Sequence, residues 1–433
     1  MDVRHSAARF RTRTDRAPDS ASGSPARTWR ERLSAISDFR FFLLIFTPLL
    51  ALYLATTMWS PPNHIDPFTN RVTAWSLGTQ GTFILDDFVH LTEPDFLGNL
   101  AWIVPAGESA ASQYPPGTAL LAAPLYAVWP QNADLESLSG LNRPDVAPVE
   151  LLIPPIAPAA ITASLAVAAA IGLLGVAFRR LDRTSGFALA GAYVAGLGTS
   201  AWSVAADRLW QHGPAMLWIA LALVLARRRV LASGFAFGAA VLTRPPTAVI
   251  AAATGLYRGW KERSIRPVVL TGIGALVGVG LFLAYNQAVF GSLSISAGYG
   301  TTFQDRALDG DLASYAKNVF LGVFSASRGF LIWSPFLLVL IPGLPAAWKA
   351  APSWVRGSAI GGLLYLLIQY KANRFSGGSG FYSYRYPLEM LTAAAPLLYL
   401  SFKEWVEPRP RPLRIFLALA IASVVIHGVG AVL

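Results

Sequence analysis

Apolar runs of membrane-spanning length alternate with short cationic connections along most of this chain, and one long polar interval near its start breaks the rhythm. The first run, "FRFFLLIFTPLLALYLATTMW", predicts a span over Phe39–Trp59, because about 20 apolar residues cross the hydrocarbon core. The interval from Ser60 to Glu150 is too long for a turn and is expected to be a folded external region. Later runs predict spans at Leu151–Phe178, Gly186–Ala205, Pro214–Ala226, Leu231–Leu242, Thr247–Tyr257, Pro267–Ala288, Phe330–Ala346, Ser358–Tyr370, Pro387–Phe402 and Ile415–Val432. The pair flanking "TRPP" also reads as one kinked hairpin. The expected fold class is therefore an all-α polytopic transmembrane helix bundle of about 11 spans, with an external loop region of interfacial helices.

Within the external interval, "DPFTNRVTAWSLGTQGTFILDDF" spaces Val72, Trp75 and Leu77 as a surface-lying amphipathic helix, started by Asp66 and Pro67. "QYPPGTALLAAPLYAVW" is apolar but too short and too proline-rich to span, so it is expected to be interfacial or re-entrant.

Composition agrees with a membrane protein: 54% of residues are hydrophobic and 14% charged, against about 25% charged in soluble domains. The net charge of +11 would suit nucleic acid in a soluble chain. Here the arginines fall in alternate short loops, at Arg179–Arg183, Arg227–Arg229, Arg258–Arg266 and Arg409–Arg414. That is positive-inside patterning, and it excludes a nucleic-acid partner. It places the N-terminus in the cytoplasm and the acid-rich loops outside. Residues 1–38, rich in Arg, Ser, Ala and Pro, read as a disordered basic cytoplasmic tail, and 39–433 as the membrane domain with its first external loop at 60–150. The chain has no cysteine, so thiol chemistry and Cys-ligated metals are excluded.

The candidate chemistry lies outside. Asp66 directly follows the first span and is either a helix cap or a carboxylate placed at the lipid boundary. Asp207 and His212 share a tight turn with Arg208, Trp210 and Gln211; His212 is either a structural hydrogen-bonding residue or a base. Arg244 in "TRPP" is a cation that topology does not require, and it wants a carboxylate or a lipid phosphate. Arg328 precedes a glycine just before a span. "QYKANRFSGGSGFYSYRYPLEM" sets Lys371, Arg374 and Arg385 among Gly and Tyr, a composition that suits a phosphate and a sugar as well as an ordinary interfacial loop. Asp86 and Asp87, adjacent carboxylates, suit a divalent cation such as Mg or Mn, or simply a solvated loop.

Taken in order, "IDPFTNRVTAWSLGTQGTFILDDF", "SQYPPGTALLAAPLYAVW", "SAWSVAADRLWQHGPA", "LTRPPTAVIAA", "FGSLSISAGYG", "SASRGFLIWSPFLLVLIPGL" and "FSGGSGFYSYRYPLEML" resemble the polytopic GT-C glycosyltransferases of the dolichyl-phosphate-mannose and lipid A aminoarabinose transferase-like class. The resemblance runs from about Pro61 to Tyr399. It implies an enzyme of the bacterial plasma membrane that moves a sugar, with inversion, from a polyprenyl-phosphate donor to an extracytoplasmic glycan, lipid or protein acceptor. It further implies an acid after the first span as base or site organiser, matched by Asp66, and a second after the third span, matched by Asp207. Arg244, Arg328, Lys371, Arg374 and Arg385 are then the candidates for the donor phosphate, and His212, Tyr114 and Tyr384 for substrate. The chain departs from the pattern in following Asp66 with Pro67 rather than a second acid. A transporter or flippase of a lipid-linked substrate and a non-catalytic membrane scaffold are the rival readings; neither internal repeats nor paired broken helices of the transporter kind are visible in the sequence.

Overall fold

The computed structural model describes residues 33–59, 65–92, 102–138, 149–182, 185–299, 311–378 and 380–433. The expected tail lies outside the described residues over 1–32, as do parts of the first external loop.

The chain folds as a helical membrane bundle. Among the described residues, four helices are long and apolar enough to cross a membrane: α1 (Asp38–Thr56), α4 (Ile156–Asp182), α9 (Arg266–Phe290) and α16 (Pro410–Val432). Between the first two, in the region expected to be external, lie α2 (Ile65–Gln80) and α3 (Gly117–Val128). Several expected spans take the form of shorter helices: α5 (Ser185–Leu197), α6 (His212–Ala226), α7 (Val230–Thr243) and α8 (Ala248–Glu262). After α10 (Leu312–Phe324), the expected span Phe330–Ala346 is broken at Ser334–Pro335 and again by a 3-10 turn at Ile341–Gly343, giving α11 (Phe330–Trp333), α12 (Phe336–Leu340) and α13 (Leu344–Ala350). The last two long elements before α16 are α14 (Ser353–Ala372) and α15 (Pro387–Ser401). Length and apolarity by themselves mark four of the expected spans among the described residues, and shorter apolar helices stand at several of the others.

The region between α1 and α4 is not purely helical. Two antiparallel hairpins, β1 (Ile103–Ala106) with β2 (Ser109–Ser112) and β3 (Asp134–Leu138) with β4 (Val149–Ile153), stand beside the interfacial helices. Gly107 turns the first hairpin at φ +67°, a conformation that costs glycine little. The expected amphipathic helix is α2. It does not lie on a surface by one apolar face: residues 69–76 are buried on every side, polar ones included, and Val72 and Trp75 enter a small core shared with Ala119, Ala122 and Tyr126 of α3.

Glycine allows close helix contact where apolar attraction is weak. Gly234 and Gly238 of α7 face Gly274 and Gly278 of α9, and a methyl on either α9 glycine would run into the α7 backbone. Small residues four apart let backbones approach and gain dispersion in a medium that supplies no hydrophobic drive between helices.

The bundle has two chemically distinct ends. At one, Arg180 Nε meets Asp38 at 2.8 Å and its Nη1 donates to Val224 O at 3.0 Å, which gathers the start of α1, the end of α4 and the end of α6. Arg258 of α8 donates to Ala226 O at the same end. At the other end of α1, Thr57 Oγ1 donates to Asp207 O at 2.6 Å, and α6 begins at His212.

Candidate functional site

At the second end a cavity of about 1350 Å3 opens between the α1–α4 connection and the rest of the bundle. The first half of α2 supplies Asp66. Trp102, at the edge of β1, donates its indole N–H to Asp66 Oδ1, and Arg385, just before α15, donates to Oδ2. Tyr114 adds a third hydrogen bond. Burial alone would raise the Asp66 carboxyl, but the Arg385 charge and the bonds from Arg385, Trp102 and Tyr114 outweigh it and hold the group below the ordinary carboxylate value. Burial and the neighbouring Asp66 charge push the Tyr114 hydroxyl well up, so it remains a donor.

Arg385 is set by its surroundings. Its guanidinium lies 5.0 Å from the Trp210 ring centre, 5.2 Å from Phe381 and 5.3 Å from Tyr386. The preceding loop folds against it through Gly377, Gly378 and Gly380 at φ +67°, +92° and +82°, angles at which most side chains are strained. Gly377 also brings backbone so near Arg385 Nε that a Cβ there would sit 3.0 Å away. Two non-glycine residues of the site also take positive φ: Trp102 at +51° and Ser383 at +60°. Such strain persists only where surrounding contacts enforce it.

A buried charged cluster borders the same cavity. Glu389, in the first turn of α15 and wholly buried, accepts from His212 Nδ1 at 2.8 Å and lies 3.2 Å from Arg244 Nε. Arg244 also reaches Tyr365 Oη, Gln211 Oε1 at 3.3 Å and Gln369 Oε1 at 3.0 Å. Its guanidinium is therefore taken up by the protein, in answer to the choice posed by the sequence: its anion is a carboxylate.

The cavity brings together Asp66, Tyr114, His212, Arg244, Lys371, Arg374 and Arg385 from the expected site residues. Others lie elsewhere. Asp207 accepts the Met58 N–H at 2.9 Å and borders a separate small cleft with Arg71 and Arg208. Arg208 Nε is 3.1 Å from its other oxygen, but not in hydrogen-bond alignment. Burial, only partly opposed by the Met58 N–H, raises the Asp207 carboxyl to about 6. Arg328 donates to Phe381 O and Ser383 O, both at 2.7 Å, and so shapes the loop before Arg385. Tyr384 is buried with its hydroxyl 2.8 Å from Ser334 Oγ. Asp86 and Asp87 are exposed on a 3-10 turn away from the cavity lining. Among the described residues no three His, Cys, Asp or Glu side chains cluster as metal ligands. Asp86 and Asp87 thus have no third acidic or imidazole ligand beside them among the described residues.

Sequence reasoning missed Glu389 and Trp102. A carboxylate inside the apolar run "PLEMLTAAAPLLYL" is itself a signal, since ionisable groups in spans are costly and cluster at functional sites. Trp102 carried no signal, because interfacial tryptophans are common in membrane proteins.

No protein-family model matches the chain, and no curated protein matches it. Among solved structures, the crystal structure of ArnT from Cupriavidus metallidurans bound to undecaprenyl phosphate matches with a TM-score of 0.53 at 16% identity, over 88% of this chain. The chain has a GT-C fold. It spans 62% of the ArnT chain, so the likeness is one of architecture, with more than a third of that protein unmatched. The GT-C bundle, with its cavity between the α1–α4 connection and the helix ends, is the frame in which the Asp66, Arg385 and Glu389 constellations sit.

Proposed function

We propose that the protein is a membrane glycosyltransferase that moves a sugar from a polyprenyl-phosphate donor to an extracytoplasmic acceptor, with inversion. The carrying observation is the pairing of one ionised carboxylate, Asp66, with Arg385 in a large cavity also lined by Lys371 and Arg374. The GT-C fold, shared with a protein that was crystallised with undecaprenyl phosphate, supports the donor class.

The chemistry follows from the two charges. The donor's isoprenoid stays in lipid while its phosphate meets Arg385, Lys371 and Arg374. Asp66 takes the acceptor hydroxyl proton as the acceptor oxygen bonds to the sugar's anomeric carbon, and the bond to the phosphate oxygen breaks with its electron pair. The leaving phosphate is already anionic and needs cations rather than an acid. Arg385 is shared between the two partners. As the phosphate draws its guanidinium, Asp66 loses the charge that keeps its carboxyl low and becomes a better proton acceptor.

The Arg180 and Arg258 end is assigned to the cytoplasm and the cavity to the outside of a bacterial plasma membrane, by the positive-inside rule. Single cysteines at Glu108 and at Arg228, in this cysteine-free chain, should label with an impermeant thiol reagent in intact cells at the first position only. The activity itself is tested in proteoliposomes with undecaprenyl-phosphate donors carrying radiolabelled sugars. A new glycosidic product is expected; movement of donor across the bilayer without any product would make the protein a flippase.

A further inference from the structure

Three irregularities of the backbone meet at one side chain. A π-helical turn follows α5 at Ala201–Ala205, the chain breaks between α11 and α12 at Ser334–Pro335, and Ser383 takes a left-handed φ of +60°. His427 of α16 touches the first two directly: its Nδ1 lies 2.8 Å from Ser203 Oγ and its Nε2 3.1 Å from Ser334 Oγ. The third is one hydroxyl further on. Ser203 Oγ lies 3.4 Å from Ser383 Oγ, which Ser200 Oγ meets at 2.6 Å, and Ser334 Oγ lies 2.8 Å from the Tyr384 hydroxyl.

A histidine inside an apolar span is costly and needs partners. These contacts engage both ring nitrogens, which packing alone would also require. What they hold is more specific. Ser383 and Tyr384 are the two residues before Arg385, and α16 presses on the same turn a second time, because a Cβ on Gly430 would run into the Tyr382 ring. Arg328 adds its bonds to the carbonyls of Phe381 and Ser383. Together these contacts enforce at Ser383 an angle that a residue with a Cβ resists. The turn so formed delivers Arg385 to Asp66. His427 itself is fully buried and outside the cavity lining, so it reaches the cavity only through this turn.

We propose that His427 is a positioning residue for Arg385: through Ser203 and Ser334 it locks the Ser383–Tyr384 turn, and so fixes the guanidinium that Asp66 and the donor phosphate share. The inference rests on the reading of Arg385 as a cation for that phosphate, but the turn is observable without any ligand.

Amide hydrogen exchange of full-length protein in nanodiscs reads the turn. In His427→Ala the peptide spanning 381–386 should exchange about tenfold faster, with peptides from α9 unchanged. Displacement of a fluorescent undecaprenyl phosphate analogue by bare undecaprenyl phosphate reads the guanidinium. His427→Ala should weaken this binding about tenfold, a partial loss of a charge-assisted hydrogen bond. His427→Asn, whose amide can still reach Ser203, should recover part of it. In an Arg385→Gln background His427→Ala should cost nothing further, because residues that act as one unit are not additive. Ser203→Ala and Ser334→Ala each remove one hydroxyl link and carry the same measurements if His427→Ala does not insert. Unchanged exchange over 381–386, or the same fold loss of binding with and without Arg385, overturns the positioning role and leaves His427 a packing residue. If Arg385→Gln binds undecaprenyl phosphate as wild type does, the donor reading of the site fails, while exchange still decides whether His427 holds the turn.

Discussion

At one end of the bundle Arg180 pairs with Asp38 at 2.8 Å, with side chains 45% and 41% exposed; at the other, Arg244 meets Glu389 at 3.2 Å, with the carboxylate wholly buried. The same chemical types serve different ends. The first pair is open to solvent, so its energy is small, and its value lies in the cationic patterning that the positive-inside rule reads. The second pair has left water and depends on its partners; it persists because Glu389 is matched by an arginine, an imidazole and a tyrosine together. Charge that is expensive to hold points to a site, and charge that is cheap points to topology.

The sharpest contrast is drawn by Asp66→Asn. Asn retains an acceptor for the Trp102 indole but cannot take a proton, and losing a general base costs about a hundred- to ten-thousandfold in rate. We expect folded, inserted protein with transfer reduced by that factor in the proteoliposome assay. Turnover within tenfold of wild type would remove Asp66 as the base. It would also bring the Asp66–Arg385 pair down to the level of the exposed ones.

Glu389→Gln tests the buried cluster itself. The substitution removes a charge while leaving His212 and Arg244 in place, and breaking a buried pair from one side costs about 3 to 5 kcal/mol. A clear fall in the thermal midpoint of detergent-solubilised protein is expected, with Glu389→Asp recovering part of it. An unchanged midpoint would show the cluster to be no more costly than the Arg180–Asp38 pair.

These cases also explain what the sequence made legible. The helical bundle, α2 and the position of Asp66 follow from local patterns: apolar runs, spacing of Val72 and Trp75, and an acid directly after a span. Lys371, Arg374 and Arg385 stood out through glycine and tyrosine around them. The separation of Asp207 from the cavity was not legible, because "AADRLWQH" places Asp207 and His212 five residues apart and only tertiary packing sends one to Met58 and the other to Glu389. The two hairpins were missed because strands as short as "IVPA" and "SAAS" carry no clear alternation. The broken span at Phe330–Ala346 shows the limit of hydropathy, which reports apolarity and not the kink at Ser334–Pro335.

Asp207 offers a pH-dependent version of the comparison. Its folded carboxyl titrates near 6, against an ordinary 3.8. The folded protein therefore holds this proton more tightly than the unfolded chain does. The resulting stability is fully present below about 3.8 and is lost as pH rises through about 6, amounting to no more than about 3 kcal/mol. Thermal midpoints of wild type and Asp207→Asn measured from pH 4.5 to 7.5 should converge at low pH and separate above 6, with the variant the more stable there. Parallel profiles would mean that water reaches Asp207 as freely as it reaches Asp38.

The smallest effect is expected from Asp38→Asn. This residue touches Arg180 and stands 3.7 Å from Arg179 Nη1, a network that looks as extensive on paper as the one around Glu389. Its partners do not depend on it, however: Arg179 also donates to the carbonyls of Ser34, Ile36 and Ser37, and Arg180 to that of Val224. At 41% exposure, water replaces the lost carboxylate at little cost, and exposed ion pairs are worth about 0 to 1 kcal/mol. Transfer and thermal midpoint should both stay near wild type, and raising the salt concentration should shrink even the residual difference. A loss comparable to that of Glu389→Gln would mean that the basic end carries buried, interdependent charge as well, and the contrast between the two ends would have to be abandoned.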